Sequence, residues 1–321
     1  MSKDPIITEL AVSLWQDIDR SKLFPQSRPL LAHYTSVDNL RNILTGEELW
    51  LSNPLSMNDH EEMYYGLRLA IQAIREHRDF RRSCEELGCY DAFLGQFWAC
   101  QQHFDNEQAL DTYIACFSEH DPVEDADGRL SMWRGYGGNG SGAALVFDTA
   151  KLNVNQDSPL VIGPVTYMSR EARQTWINEL LDLLTATIQR SPINQDACGS
   201  VANLLFQRVL QASLFSKHRG FSEEREWRVV YFPRLDPTGM LKSMFGYWIG
   251  PSGLQPKLKF RLANLPGVTA PDFGLDRLVH SIILGPTHNA LSQRATQRML
   301  ELERPMLVKR LRASSTPFRT T

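Results

Sequence analysis

The sequence predicts an α+β protein: a mixed, split or strongly bent β-sheet with helices around it. Short apolar runs of strand length recur along the chain, such as Leu49-Trp50-Leu51-Ser52, Tyr113-Ile114-Ala115-Cys116-Phe117 and Ala143-Ala144-Leu145-Val146-Phe147. Between them lie longer stretches whose apolar residues recur at helical spacing, most clearly over 170–189 and 197–215, with Pro192 between these two. The chain's 321 residues suffice for one large α/β or α+β domain, or for two small ones.

Pro29-Leu30-Leu31-Ala32 reads as the first strand, so His33-Tyr34-Thr35 precedes a helix start. Ser36 can cap that helix, Val37, Leu40, Ile43 and Leu44 give it one apolar face, and Gly46 suits its exit. Asn58 or Asp59 can cap a second helix carrying Met63, Leu67, Ala70, Ile71 and Ile74. The aromatic-rich stretch over 80–109 reads as an inserted helical cover.

Residues 121–128 are acidic and contain breakers, and five of the eight positions in 135–142 are glycine, so both segments should be loops. That glycine run would let backbone approach a ligand closely. Further strands are expected over 160–167, 226–232, 245–249 and 278–284, then a helix near 292–302 and a last strand near 306–311. The expected organisation is an N-terminal helical segment over 1–28 and a single α+β domain over 29–311. A helical insertion occupies about 59–110 of that domain, and a polar, basic, disordered tail follows over 312–321.

With 34 Lys+Arg against 37 Asp+Glu the formal net charge is −3, so no overall field points to nucleic acid or anionic membrane. The start, Met1-Ser2-Lys3-Asp4-Pro5, lacks a basic segment followed by an apolar stretch, and no uncharged run reaches transmembrane length, so a cytoplasmic protein is expected. Five cysteines, Cys84, Cys89, Cys100, Cys116 and Cys198, form no Cys-x-x-Cys pair and read as reduced core thiols. Phosphate-loop, dinucleotide-fingerprint, His-Glu-x-x-His and Gly-x-Ser-x-Gly motifs are absent from the sequence.

Several polar residues sit at the edges of apolar segments and carry the functional expectations. Glu224 and Glu226 stand two apart at the start of an expected strand, which would aim both carboxylates to one side. Such a pair is either an acid/base and oxocarbenium-stabilising site or a solvated charge cluster laced with ion pairs. His33 is a ligand-binding donor or a structural histidine, and Trp133 and Tyr136 are base-stacking rings or core. Trp227 and Trp248 are expected to pack. His60-Glu61-Glu62 beside Asp59 do not all face one way on a helix, so no metal is expected there.

Taken together, a series of motifs resembles a bacterial family of unknown function, DUF2971. They are His33-Tyr34-Thr35-Ser36, the Leu-Ser-x-Pro of Leu51 to Pro54, Asn58-Asp59 with Glu62, Cys116-Phe117-Ser118-Glu119, and Met132-Trp133 with Tyr136. Gly142 to Phe147, Lys217 and Glu224 to Arg228 complete the series. The resemblance spans roughly 31–284 in the same order. It departs from the family pattern at His60, where proline is usual, and over Lys217-His218-Arg219-Gly220-Phe221.

A second resemblance is to ADP-ribosyltransferases. It rests on a histidine and a hydroxyl at the end of the first strand, a helix with Asn39-Leu40 and Ile43-Leu44, Ser118 on a central strand, and the late Glu-x-Glu. It implies an ADP-ribosyltransferase-like fold with NAD as substrate. His33, Tyr34 and Thr35 would hold NAD, with Trp133 and Tyr136 as its aromatic partners, Tyr136 stacking on nicotinamide. Glu226, His33 and Glu224 would be catalytic, with Glu224 orienting an acceptor, Ser118 would bind NAD and brace Glu226, and Lys217 and Arg228 are further candidates at the site.

The leading expectation is therefore an NAD-consuming ADP-ribosyltransferase or glycohydrolase acting on a protein or nucleic-acid target in bacterial stress or phage defence, with a partner encoded nearby. One alternative is a non-catalytic module that senses a nucleotide or partner. Another is a nucleic-acid-processing enzyme with Asp59, Glu62 and Glu226 around a divalent metal.

Overall fold

The structure is a computed structural model that describes residues 5–57, 60–155, 158–191, 193–250 and 253–318. In chain order the elements begin with α1 (Pro5–Ser13), β1 (Leu30–Thr35), α2 (Val37–Gly46), β2 (Glu48–Ser52), α3 (His60–Glu76), α4 (Arg78–Glu86), α5 (Tyr90–His103) and β3 (Tyr113–His120). Next come α6 (Leu130–Gly135), β4 (Ala143–Asp148), β5 (Leu160–Pro164), β6 (Thr166–Met168), α7 (Arg170–Arg190), α8 (Gln195–Leu214), β7 (Ser216–His218) and β8 (Glu226–Tyr231). The last elements are β9 (Phe245–Gly250), β10 (Gly253–Arg261), α9 (Leu275–Leu278), β11 (Val279–Leu284), α10 (Ala290–Glu303) and β12 (Leu311–Ala313).

The chain divides into two compact units. The helical unit combines Met1–Ser21, Pro54–Asp111 and Val165–Phe221. Its helices pack through aromatic pairs such as Phe80 with Phe93 and Phe97 with Phe206, whose ring centroids are 5.0 and 5.6 Å apart. The segment expected as an insertion near 59–110 thus shares a core with α7 and α8, and the short parallel pair β6 and β7 belongs to the same unit. No described helix is long and apolar enough to cross a membrane.

The sheet unit combines Lys22–Asn53, Thr112–Pro164 and Ser222–Thr321. Its described strands form one mixed, ten-stranded sheet in the order β12-β11-β4-β1-β3-β2-β10-β9, with β8 on the other edge of β3 and β5 on β8. Among its described strands only β11 and β12 pair in parallel. The sheet forks at β3, as the expectation of a split sheet requires. One edge of β3 is shared by β1, through Leu30↔His120 to Ala32↔Ser118, and by β2, through Ser52↔Ile114, while β8 runs along the opposite edge from Tyr113 to Ser118.

Local differences from the sequence reading have identifiable causes. The first strand continues through Thr35 because β4 pairs with it over its whole length, so His33 is a strand residue. The left-handed residue closing α2 is Glu47, at φ 52°, rather than Gly46. Arg304 holds it there, donating to the Leu44 carbonyl at 2.7 Å and the Glu47 carboxylate at 2.5 Å.

β10 lacks a clean apolar alternation, carrying Pro256, Lys257 and Lys259, and was not foreseen. It forms because both neighbours are available, pairing with β9 and with β2. The strand expected near 306–311 is a 3-10 turn over Pro305–Arg310, and the strand proper, β12, extends into the segment expected to be a tail.

Candidate functional site

Alternation along the strands decides which side chains share a face of the sheet. On one face Leu31, Phe117, Leu145, Phe147 and Trp227 join the main apolar core. On the other, Ala32, Tyr34, Ala144, Val146 and Ile283 pack with Met132 and Trp133 of α6. Ser118 stands directly opposite Glu226, and Cys116 opposite Arg228, so these four belong to the second face.

Glu226 and Arg228 are each only 4 % exposed at the side chain, and the guanidinium donates to both carboxylate oxygens, at 2.7 and 3.3 Å. Period two brings them together along one strand, and burial makes the pairing strong and its disruption costly. The Ser118 hydroxyl donates to the backbone carbonyl of Glu224 at 2.6 Å, so it fixes the turn that leads into β8 rather than bonding the Glu226 carboxylate.

Glu224 and Glu226 are not successive same-face residues of a strand. Glu224 ends the 3-10 turn Arg219–Glu224, β8 begins at Glu226, and Arg225 between them lies at φ 42°. That left-handed residue breaks the alternation, and the Arg225 carbonyl accepts the Glu119 N–H at 2.8 Å. Glu224 is half-buried and accepts the Tyr136 hydroxyl at 3.1 Å.

The two aromatic candidates separate. Tyr136 is 48 % exposed, whereas Trp133 is fully buried, donates to the Asp127 carbonyl at 2.9 Å and meets the Tyr34 ring edge-on at 4.8 Å. The glycine run serves this packing. A Cβ on Gly137 would stand 2.5 Å from the Trp133 ring, and one on Gly142 would stand 2.3 Å from the Thr35 carbonyl, so the close backbone approach is to the protein itself. Tyr34 accepts the Arg129 N–H at 2.9 Å, and burial pushes its hydroxyl up to about 12.

Further along this face, Arg129 binds Asp125 through two bonds of 2.8 and 3.0 Å and donates to the Glu223 carbonyl at 3.1 Å. Burial raises the Asp125 carboxyl, but bonds from Arg129 and the Asp121 N–H outweigh it and leave the net shift downward. The pair of Arg129 and Asp125, missed in the sequence, stands four positions apart, Asp125 within the segment 121–128 read only as an acidic loop and Arg129 just after it.

His33 lies on the opposite face from Glu226. It is paired with Leu145, and its ring centroid is 5.7 Å from that of Phe117. Where β1 leaves β3 at the fork, Cys116 is left with a carbonyl beyond the last ladder pair, and the His33 Nδ1 takes it at 3.1 Å. Burial lowers the imidazole below the ordinary histidine range, partly offset by that bond. Thr35 Oγ1 accepts from the Asn39 side-chain amide at 3.1 Å, so His33 and Thr35 serve the fork and the start of α2 in this structure.

Lys217 belongs to the helical unit, on β7, with its ammonium 4.7 Å from the Phe221 ring centroid. Asn58 and Asp59 lie outside the described residues, as does the side chain of Glu62. Among the described residues no group of three or more His, Cys, Asp or Glu is arranged to hold a metal ion. The structure therefore brings together Ser118, Glu224, Glu226, Arg228, Tyr34, Trp133 and Tyr136, and puts His33 on the other face.

Trp248 departs from its expected packing role, being 41 % exposed, while Trp227 is buried and donates to Glu119 at 3.1 Å. No curated protein matches the chain, and no solved structure does. The family match is confined to the segment running from α6 to the first residues of β8: residues 132–229 match the model of DUF2971, a family described as proteins of unknown function.

Proposed function

We propose that this chain consumes NAD as an ADP-ribosyltransferase or NAD glycohydrolase, acting on a macromolecular target in bacterial stress or phage defence. The observation that carries the reading is the register Ser118↔Glu226 at the head of β8, beside a forked sheet and with Tyr136 on Glu224. In this chemistry the bond between C1′ of the ribose and the nicotinamide nitrogen breaks, and nicotinamide leaves with the bonding pair. The Glu226 carboxylate stabilises the positive charge that develops on the ribose. An acceptor hydroxyl, amine or water then bonds to C1′, and Glu224 takes its proton.

His33 has no part in this version, because it faces away from Glu226. The exposed ring available to a nicotinamide is Tyr136. Arg228 is a positioning residue: its guanidinium aims the Glu226 carboxylate through both oxygens, and must release part of its hold for the carboxylate to reach a substrate.

The depth of that ion pair favours a second reading, a non-catalytic module that senses a nucleotide or partner, with Glu226 purely structural. Incubation of the purified chain with NAD, followed by mass spectrometry for free nicotinamide and modified macromolecule, separates the two. The transferase reading expects turnover in the wild type, at least 100-fold less in Glu226→Gln, on the order of the loss when a charge-stabilising group is removed, and near-wild-type turnover in His33→Ala. Absence of turnover alongside intact binding of NAD gives the sensing reading.

A further inference from the structure

On the side of the β2, β10 and β9 strands opposite the apolar core, alternation presents Trp50, Ser52, Trp248, Gln255, Lys257, Lys259 and Arg261, with Glu48 at one end. Trp50 and Trp248 are 40 % and 41 % exposed, although indoles are ordinarily well covered. Trp248 is flanked on its own face by Gly246 and Gly250. A Cβ on Gly250 would stand 2.2 Å from the indole, and one on Gly246 would stand 3.0 Å from the Lys259 chain. The two glycines therefore leave a shallow strip in which an exposed flat ring lies beside a half-buried long cation.

The lysines of this strip have no carboxylate among the described residues. Lys257 is only 9 % exposed, and its ammonium meets the Ser52 hydroxyl at 2.8 Å and the Trp248 ring at 5.5 Å. Lys259 lies 4.4 Å from the Trp50 ring centroid. Glu48, the acid at the end of this face, accepts the Trp50 Nε1–H at 3.0 Å and stands opposite Arg261 in the ladder. A buried ammonium supported only by a hydroxyl and a ring face is costly, and an arriving anion removes that cost.

We infer that this face binds single-stranded nucleic acid, with bases stacking on Trp50 and Trp248 and phosphates on Lys257 and Lys259. Gln255, opposite Trp248, and Lys259, opposite Trp50, are four residues apart on the strand between the two indoles, so the indoles are separated by about 13 Å along β10 and about 10 Å across it, roughly 16 Å in all, which a few nucleotides of an extended strand span. An open sheet surface with alternating rings and cations suits a strand, whose bases all offer a flat face, better than a single enclosed nucleotide. The net charge of −3 does not oppose this, because the footprint is local.

The test needs no NAD, so it stands or falls separately from the catalytic reading. A fluorescein-labelled oligothymidylate of about 20 nucleotides is titrated with the full chain at low salt, following anisotropy and tryptophan quenching. Trp50→Ala and Trp248→Ala are each expected to weaken binding about tenfold. Lys259→Gln is expected to lower the slope of log affinity against log salt by about 0.7.

Circular dichroism of the Trp50→Ala and Lys259→Gln variants, altered at an exposed and a half-buried position, verifies that the sheet is intact. Three results overturn the inference: no binding at low salt; binding indifferent to both tryptophans; or free thymidine monophosphate binding as tightly as the strand. Self-association of the wild type that is lost in Trp248→Ala, without oligonucleotide binding, assigns the face to a second copy of the chain and likewise overturns it.

Discussion

The helical unit and the sheet unit satisfy several of their buried hydroxyls in different ways. In the helical unit the hydroxyls of Thr185, Thr187 and Ser213 each donate to the carbonyl four residues earlier, at 2.7, 2.9 and 2.8 Å, so the partner lies within the same helix. Its buried thiols, Cys84 and Cys198, are pushed upward by desolvation and by the neighbouring Cys89, Cys84 to about 12, which makes them inert packing groups. In the sheet unit, Ser118 is bonded to a carbonyl 106 positions away and Arg129 to one 94 positions away. The helical unit also joins distant groups, Arg208 bonding Asp17 at 2.6 Å against the Trp15 and Trp176 rings, but the polar residues singled out in the sequence converge in the sheet unit.

The largest effect that tests this contrast is removal of one half of the buried pair. Arg228→Met leaves the Glu226 carboxylate without its charged strand partner, and a loss of about 3–5 kcal/mol is expected in urea unfolding. Adding Glu226→Gln to the same chain should restore a large part of it. An unchanged midpoint in the single variant would show that this face is open to water and would remove the contrast.

A comparable effect depends on pH. His120 is buried on the same face, near Asp125, Arg129, Arg312 and His280, and burial is the first cause that lowers its imidazole to about 4. Asp125 opposes that shift, while Arg312, His280 and Arg129 reinforce it. A depressed histidine binds a proton more readily in the unfolded chain. Its neutral form therefore supports the fold above about pH 6.5, and that contribution is lost as pH falls toward 4. The loss is on the order of 3 kcal/mol over that window. Urea midpoints of the wild type and His120→Asn at pH 7 and 4.5 measure it, and the variant should show a shallower decline; parallel declines would contradict the assignment.

The smallest effect is expected in the helical unit. Thr185→Val removes a hydroxyl whose acceptor retains its place in the helix, and stability should change by less than about 1 kcal/mol in either direction. A loss several times larger, seen by thermal unfolding, would mean that the helical hydroxyls also carry structure beyond their own helix.

Much of the helical unit was legible because its signals are local. The apolar spacing over 170–189 and 197–215 matches α7 and α8 within a residue or two, and Ser169 and Asn194 cap them by accepting the Ala172 and Ala197 N–H groups. In the sheet unit, the cap of α2 at Ser36 was also readable, whereas those at Ser169 and Asn194 were not singled out. β10 was not, because Lys257 and Lys259 on its open face and Pro256 within it hide the alternation that Leu258 and Phe260 begin. The site was partly legible: Ser118, Tyr136 and the two glutamates were singled out, but their geometry was read from an alternation that Arg225 interrupts.

The sequence by itself determined the α+β class, the principal helices, the Ser36 cap and the candidate polar side chains, since each rests on contacts within a few residues. Tertiary structure alone decided that the sheet forks at β3, that His33 closes the fork by bonding Cys116, and that Glu226 turns to the opposite face to meet Arg228. The physical reason is that a strand's side chains alternate whatever its partners are. Which face is buried, and which distant carbonyl or guanidinium lies there, is set by pairing between segments about 100 residues apart.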